Sequence, residues 1–120
     1  MVAERYELET RILKAMAHPV RMRILEILRY GDHCVCHLEA AMGYRQAYIS
    51  QHLMVLRDAG IVIDRREGWN IYYHVADPAV FDLLDKLYTI TGNENFEDFS
   101  AAVVKNCPCP HCQLFRQSNC

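Results

Sequence analysis

The chain has 120 residues, 52% of them apolar, six Cys and a formal charge of −2. That length allows one domain, or one with a short tail, and a core modest enough that pairing with a second copy would help it. No run approaches the roughly 18 apolar residues of a membrane span, and the charged start MVAERYELETR is no secretion signal, so the chain is expected in the cytoplasm with its thiols reduced.

Reduced Cys favour metal or redox chemistry over a disulfide scaffold. The negative charge argues mildly against nucleic acid, but it is unevenly placed. Residues 1–75 hold ten Lys/Arg against nine Asp/Glu, and residues 76–120 hold three against six. The acidity therefore belongs to the C-terminal part. Any nucleic-acid contact would therefore rely on local Arg groups and depend on salt.

Residues 4–16 carry Tyr6, Leu8, Ile12, Leu13 and Met16 among charged residues, the pattern of an amphipathic helix. His18-Pro19 breaks it. Pro19 suits the first turn of a second helix, in which Val20, Ile24, Leu25, Ile27 and Leu28 are apolar and which ends at Gly31. From Cys34 to Gly60 the chain reads as two short helices joined by a turn at Gly43, with Cys34 and Cys36 at the mouth of the first. In the second of these, Ile49, Leu53 and Leu56 form one apolar stripe. Gln46, Ala47, Ser50 and Gln51 lie away from it, a small hydrogen-bonding face that suits entry into the DNA major groove. Gly60 ends the element where a left-handed residue is wanted. Helix, tight turn, helix is the helix-turn-helix signature.

Ile61–Ile63 and Ile71–Val75 are short β-branched or aromatic runs around the charged connection 64–70, a β-hairpin with a turn longer than the tightest kind. A hairpin directly after a helix-turn-helix is a wing. Asp77-Pro78 opens a fifth helix with Asp77 as N-cap, and Phe81, Leu84, Leu87 and Tyr88 line one side of it, more apolar surface than a terminal helix needs unless it packs against another chain. Gly92-Asn93 stops it. A further short helix is expected over 93–106, and the end, NCPCPHCQLFRQSNC, is broken by its two Pro into a loop or tail. The expected architecture is mainly α with a β-hairpin, an α+β winged helix-turn-helix over residues 1–92 with a Cys-rich tail over 93–120.

With these parts in place the sequence resembles the arsenic-repressor (ArsR/SmtB) family of winged-helix metal-sensing repressors. The resemblance covers about residues 8–90 and rests on AMAHPVRMRILEIL, the CVC-x-L opening of the third helix, ISQHLMVLRDAGIV and RREGWNIYYHV, in that order. It implies a homodimer whose apo form binds a palindromic double-stranded operator and which lets go when a metal or metalloid binds. No catalytic constellation accompanies it, so no enzyme is expected.

Family members that sense arsenite, antimonite, cadmium or lead carry this CVC, so the resemblance implies Cys34 and Cys36 as inducer ligands. The chemistry agrees, because thiolates select soft ions and a helix N-terminus raises the thiolate fraction. On an intact helix, residues i and i+2 lie about 200° apart, so chelation by both is expected to unwind the first turn of the third helix and shift the reading helix through Gly43. Their alternative reading is as two small buried hydrophobes.

Some relatives place a third Cys where this chain has Glu39, and an Asp where it has His37; others recruit Cys from an N-terminal segment that here has none. The missing ligands can come from Cys107, Cys109, Cys112 or Cys120 in the tail, with Cys107 and Cys109 favoured. Alternatively Cys107, Cys109, His111 and Cys112 form a separate site. His33 and His37 could supplement either. As(III) or Sb(III) is the first expected inducer, since three thiolates suit it, with Cd(II), Pb(II) or Zn(II) behind. The family's zinc site on the fifth helix looks absent, because residues 77–90 hold no His. A thiol-redox or persulfide sensor stays open as the alternative, although relatives of that kind have a Cys in the second helix near the position of Glu26. The CPHC run matches thiol-disulfide oxidoreductases in letters but lacks their βαβ setting.

For DNA, the resemblance maps Gln46, Tyr48, Ser50 and Gln51 to base- and phosphate-facing positions, with Arg45 at the helix mouth. His52 either reaches a phosphate or braces the helix. Arg65 and Arg66 flank the wing turn and would touch backbone or minor groove, unless they simply form a solvated hairpin tip beside Asp64 and Glu67. Trp69 is expected to pack.

Overall fold

A computed structural model describes residues 1–93. The helix expected over 93–106 and the tail residues Cys107, Cys109, Cys112 and Cys120 lie outside the described residues. In chain order the elements are α1 (Val2–Arg5), α2 (Glu7–Met16), α3 (Pro19–Leu28), β1 (His33–Cys34), α4 (Val35–Met42), α5 (Gln46–Asp58), β2 (Val62–Glu67), β3 (Asn70–Val75) and α6 (Ala79–Thr91). No helix among the described residues is long and apolar enough to cross a membrane.

The single N-terminal helix expected over 4–16 is divided at Tyr6 (φ −110°, ψ 16°). Thr10 supplies the physical reason. Its backbone N–H and its hydroxyl both donate to the Tyr6 carbonyl, at 2.9 and 2.6 Å, and such back-bonding bends helices. Only Ala15 and Met16 of α2 are buried; Leu8 and Leu13 stay more than half exposed. Pro19 opens α3 with its φ already helical. His18 caps that helix, its Nδ1 accepting from the Val20 N–H at 3.1 Å, a role more often filled by Ser or Asp.

The helix-turn-helix is α4, a turn and α5. Gly43 closes α4 in the left-handed region (φ 77°). Helix α5 buries Ile49, Leu53 and Leu56 as its stripe requires. Its end is a Schellman motif, with Ile61 N–H donating to Leu56 O and Gly60 N–H to Arg57 O. Gly60 takes φ 78°, and Leu56 and Ile61, both buried, are the apolar pair that accompanies this cap. The chain thus turns sharply from α5 into β2.

The wing hairpin is tighter than expected. Strands β2 and β3 pair from Val62↔Val75 out to Glu67↔Asn70, leaving only Gly68-Trp69 as the turn. The charged run Asp64–Glu67 belongs to the ladder; its side chains alternate between the two faces of β2, and all four are exposed. Gly68, with φ 62°, gives the first turn residue the backbone that two-residue hairpins demand. A third strand, β1, was not legible in the sequence; it pairs with β3 (His33↔Tyr73, Cys34↔Tyr72) to give the order β1-β3-β2.

Core residues Ile24, Leu25, Leu38, Ile49, Leu53, Leu56, Val62 and Leu84 join α3 to α6 and the sheet. Asp77 Oδ1 accepts from the Ala79 N–H at 2.9 Å, capping α6 as expected. A polar cluster docks α6 onto α3. The Tyr88 hydroxyl donates to buried Glu26 Oε1 at 2.8 Å, and Arg29 Nη2 bridges Glu26 (2.8 Å) and Asp85 (2.9 Å). The Arg29 guanidinium also lies 5.0 Å from the centre of the Phe81 ring.

Candidate DNA-reading face and thiol pair

Arg45 is the extended residue that opens α5. Beyond it Gln46, Ala47, Tyr48 and Gln51 are exposed and Ser50 is half-buried, while Ile49 turns into the core. One uncharged, hydrogen-bonding face is therefore presented outward, as the sequence spacing anticipates. The Tyr44 and Tyr48 rings lie 5.2 Å apart along it.

His52 is placed differently. It is buried, its Nδ1 lies 3.3 Å from Arg21 Nη1, its ring is 4.3 Å from that of His18, and Tyr48 meets it edge-on at 4.7 Å. Of the two roles open to it, this geometry serves the brace between α5 and the start of α3. Burial, with the charges of His18 and Arg21 added, holds the His52 pKa below the ordinary imidazole value.

On the wing the two arginines diverge. Arg65 is tied back, with Nη2 at 3.3 Å from Asp32, Nη1 at 3.7 Å from Glu67 and its guanidinium 5.4 Å from the centre of the Tyr72 ring. Arg66 is exposed, and no ion pair links it to a carboxylate among the described residues. Trp69, expected to pack, is instead fully exposed (102%) at the tip. Neither buried cluster of the described residues includes it.

The thiols are not both helical, which corrects the expectation that two ligands on one intact helix must unwind it. Cys34 ends β1 and precedes α4 as its N-cap, with extended backbone (φ −82°, ψ 166°). It is 4% exposed and shares a small buried cluster with Tyr72, against which half-buried Cys36 also packs. Cys36 lies in the first turn of α4. His33 and His37 stack at 3.9 Å, and burial lowers the His37 pKa.

Among the described residues no three His, Cys, Asp or Glu are gathered as a metal site. Cys34 and Cys36 fit a soft ion in donor type but supply two donors, fewer than the three a thiolate-bound As(III) takes. The His18 cap, the Cys34–Tyr72 pairing and the Glu26–Tyr88 tie escape sequence reading. Their one local sign is Glu26, a carboxylate set between Leu25 and Ile27.

Comparison with known proteins bears on what this arrangement is. Residues 18–64 match the model of the bacterial regulatory protein, arsR family. The biofilm growth-associated repressor of Agrobacterium fabrum is 43% identical over 79 residues, 66% of this chain and 68% of that one. An arsenic resistance transcriptional regulator of Pseudomonas putida is 45% identical over 65 residues, 53% of this chain and 51% of its own. The solution structure of a homodimeric winged helix-turn-helix DNA-binding domain from Mycobacterium bovis, a possible ArsR-family regulator, matches with a TM-score of 0.69 at 27% identity, covering 79% of this chain and 93% of that one. With this helix-turn-helix, this wing and these relatives, the chain belongs to the arsR family of bacterial regulatory proteins, winged helix-turn-helix transcriptional regulators and not enzymes.

Proposed function

We propose that the chain is a cytoplasmic repressor that holds a palindromic operator as a homodimer and lets go when As(III) or Sb(III) binds the thiolates of Cys34, Cys36 and tail residues drawn from Cys107, Cys109 and Cys112. The observation that carries this reading is the position of the pair, at the junction of β1 with α4, one element before the reading helix and hydrogen-bonded through β1 to the wing. Reading face and wing supply the DNA contacts through Arg45, Gln46, Tyr48, Ser50, Gln51, Arg65 and Arg66. The uncovered stripe of α2, with Leu8 and Leu13 exposed, and the exposed Ile90 of α6 support a second copy as partner, as in the homodimeric relative.

Cys34 is buried opposite Tyr72 and Cys36 packs against the same cluster, so an ion held by both thiolates sits where the β1–β3 pairing meets the start of α4, and a displacement there reaches both the wing and the helix-turn-helix. Two protein donors from the described residues leave a third and a fourth to the tail. Three favour As(III) or Sb(III); four favour Cd(II), Pb(II) or Zn(II), the second reading. A redox or persulfide sensor is less well supported, because α3 holds no Cys and Glu26 is engaged with Tyr88 and Arg29.

Operator release, followed as fluorescence anisotropy of a labelled duplex selected by the protein from a random-sequence pool, tests the reading. Each ion is titrated into reduced protein. A true inducer weakens binding by about 5- to 150-fold, the usual range of allosteric coupling, and Cys34→Ser or Cys36→Ser abolishes that response while leaving apo binding in place. Full response in both variants would remove the thiol pair from the mechanism.

A further inference from the structure

His18, Arg21 and His52 hold the reading helix to the start of α3, and no carboxylate pairs with any of the three among the described residues. His18 is the N-cap of α3, its Nδ1 accepting from the Val20 N–H at 3.1 Å. His52, buried on α5, has its Nδ1 at 3.3 Å from Arg21 Nη1, and its ring centre lies 4.3 Å from that of His18. Arg21 also reaches the end of α2, donating from Nη2 to the Lys14 carbonyl at 3.4 Å, while its buried Nε has no hydrogen-bond partner. From α5 itself Tyr48 meets the His52 ring edge-on and carries the contact on to Tyr44.

Donor chemistry fixes the protonation state of the pair. A backbone N–H and a guanidinium can only donate, so the Nδ1 of each ring is a bare acceptor and each neutral ring carries its proton on Nε2. A proton taken up at His18 Nδ1 sets N–H against N–H at the cap of α3. Taken up at His52 Nδ1, it removes an acceptor of Arg21 and leaves two cations within hydrogen-bond range. Burial, His18 and Arg21 all disfavour a charge on His52.

We propose that His18, Arg21 and His52 form a proton-sensitive latch on the reading helix: with both rings neutral α5 is held in place for the operator, and proton uptake at the two Nδ1 atoms frees it and lowers DNA affinity. The proposal rests on the DNA-binding reading of the chain, but its ligand is the proton and it works without the thiols. Tyr48, Ser50 and Gln51 share the first two turns of α5 with His52, so a shift of that segment displaces the groups of the reading face. The sign sets the latch apart from simpler effects of acid. Added positive charge strengthens contact with a polyanion, and an imidazolium reaching a phosphate would do the same, so either raises affinity as pH falls. A latch lowers it.

Fluorescence anisotropy of a labelled duplex selected from a random-sequence pool, with reduced full-length protein at fixed ionic strength, measures the effect. From about pH 7.5 to about pH 5.5 affinity falls by up to about tenfold per ring, the factor for one proton excluded from an imidazole of ordinary value about 6.5. His18→Asn keeps a capping oxygen and His52→Asn keeps an acceptor for Arg21; each removes part of the fall, and the double variant removes it. Nitrogen NMR of the imidazoles shows both rings as the Nε2–H tautomer at neutral pH. Affinity that stays level or rises on acidification, the same fall in the double variant, or an Nδ1–H tautomer at His52 overturns the proposal alone. So does a fall that circular dichroism matches to loss of folded protein. Failure to select any duplex removes the DNA-binding reading and the latch together.

Discussion

Cys34 is the antiparallel partner of Tyr72, and the two are buried together in a cluster apart from the main core. A prospective inducer ligand is thus packed against the strand that carries the wing. Tyr72 in turn lies under the guanidinium of Arg65, which also reaches Asp32. A change at Cys34 is therefore expected to reach the sheet that carries the wing.

Removing the Tyr72 ring tests this linkage. Tyr72→Ala should cost about 3–5 kcal/mol, the usual range for deleting a buried aromatic side chain. Chemical denaturation should show a lower midpoint with an unchanged slope. Cys34 should also become far more reactive to a thiol alkylating reagent, with a smaller change at half-buried Cys36. An unchanged Cys34 reactivity would mean that Tyr72 does not shield it.

The α3–α6 tie gives a second expectation. Glu26 is buried and receives Tyr88 Oη and Arg29 Nη2. Burial raises the Tyr88 pKa, and the hydrogen bond to Glu26 raises it further, so the phenol remains a donor throughout the neutral range. For Arg29 burial works the other way, but the hydrogen bonds to Asp85 and Glu26 outweigh it and hold the pKa above its already high ordinary value. Tyr88→Phe should cost about 1.5–3 kcal/mol, as for a hydrogen bond to a charged group. Its effect on the proposed homodimer, measured by sedimentation, should exceed that of Lys86→Ala, at an exposed position of the same helix.

His52 predicts the sense of the pH dependence. Burial, then His18 and Arg21, depress its pKa below the ordinary 6.5, so the folded state favours the neutral ring while the unfolded chain binds a proton more readily. Stability is then fully present above about pH 6.5 and falls as pH drops through the unfolded value toward the folded one. Urea midpoints taken from pH 8 down to pH 5 should decline, and His52→Gln should flatten the decline below about pH 6.5. A curve of the same shape in the variant would place the titration elsewhere.

The reading face and the wing should separate by kind of contact. Gln51→Ala should relax sequence preference at one or two base pairs, with a cost of about 1–3 kcal/mol on the best duplex. Arg66→Ala should weaken binding to all duplexes alike and reduce the salt slope by about 1. Affinities of both variants on selected and scrambled duplexes, across a salt series, distinguish these outcomes. Arg65→Ala, by contrast, also loses its contacts to Asp32 and Tyr72 and should lower stability as well.

What the sequence determined by itself is the part built from local rules. The stripe Ile49, Leu53 and Leu56, the glycines at 43 and 60 and the hairpin after them name a winged helix-turn-helix, since periodicity and left-handed stops are properties of a few neighbouring residues. Tertiary structure alone decided the rest. His52 meets Arg21 from 31 positions away and Tyr88 meets Glu26 from 62, and β1 exists only because β3 returns beside it. Composition likewise misled at the wing, where charged residues continue the ladder because both faces of β2 are exposed beyond Val62, and Trp69 is exposed among the described residues because it sits in the two-residue turn at the tip. The thiols carry the same lesson. Their spacing was legible, but that Cys34 lies off the helix and against Tyr72 depends on a strand partner that no local pattern reveals.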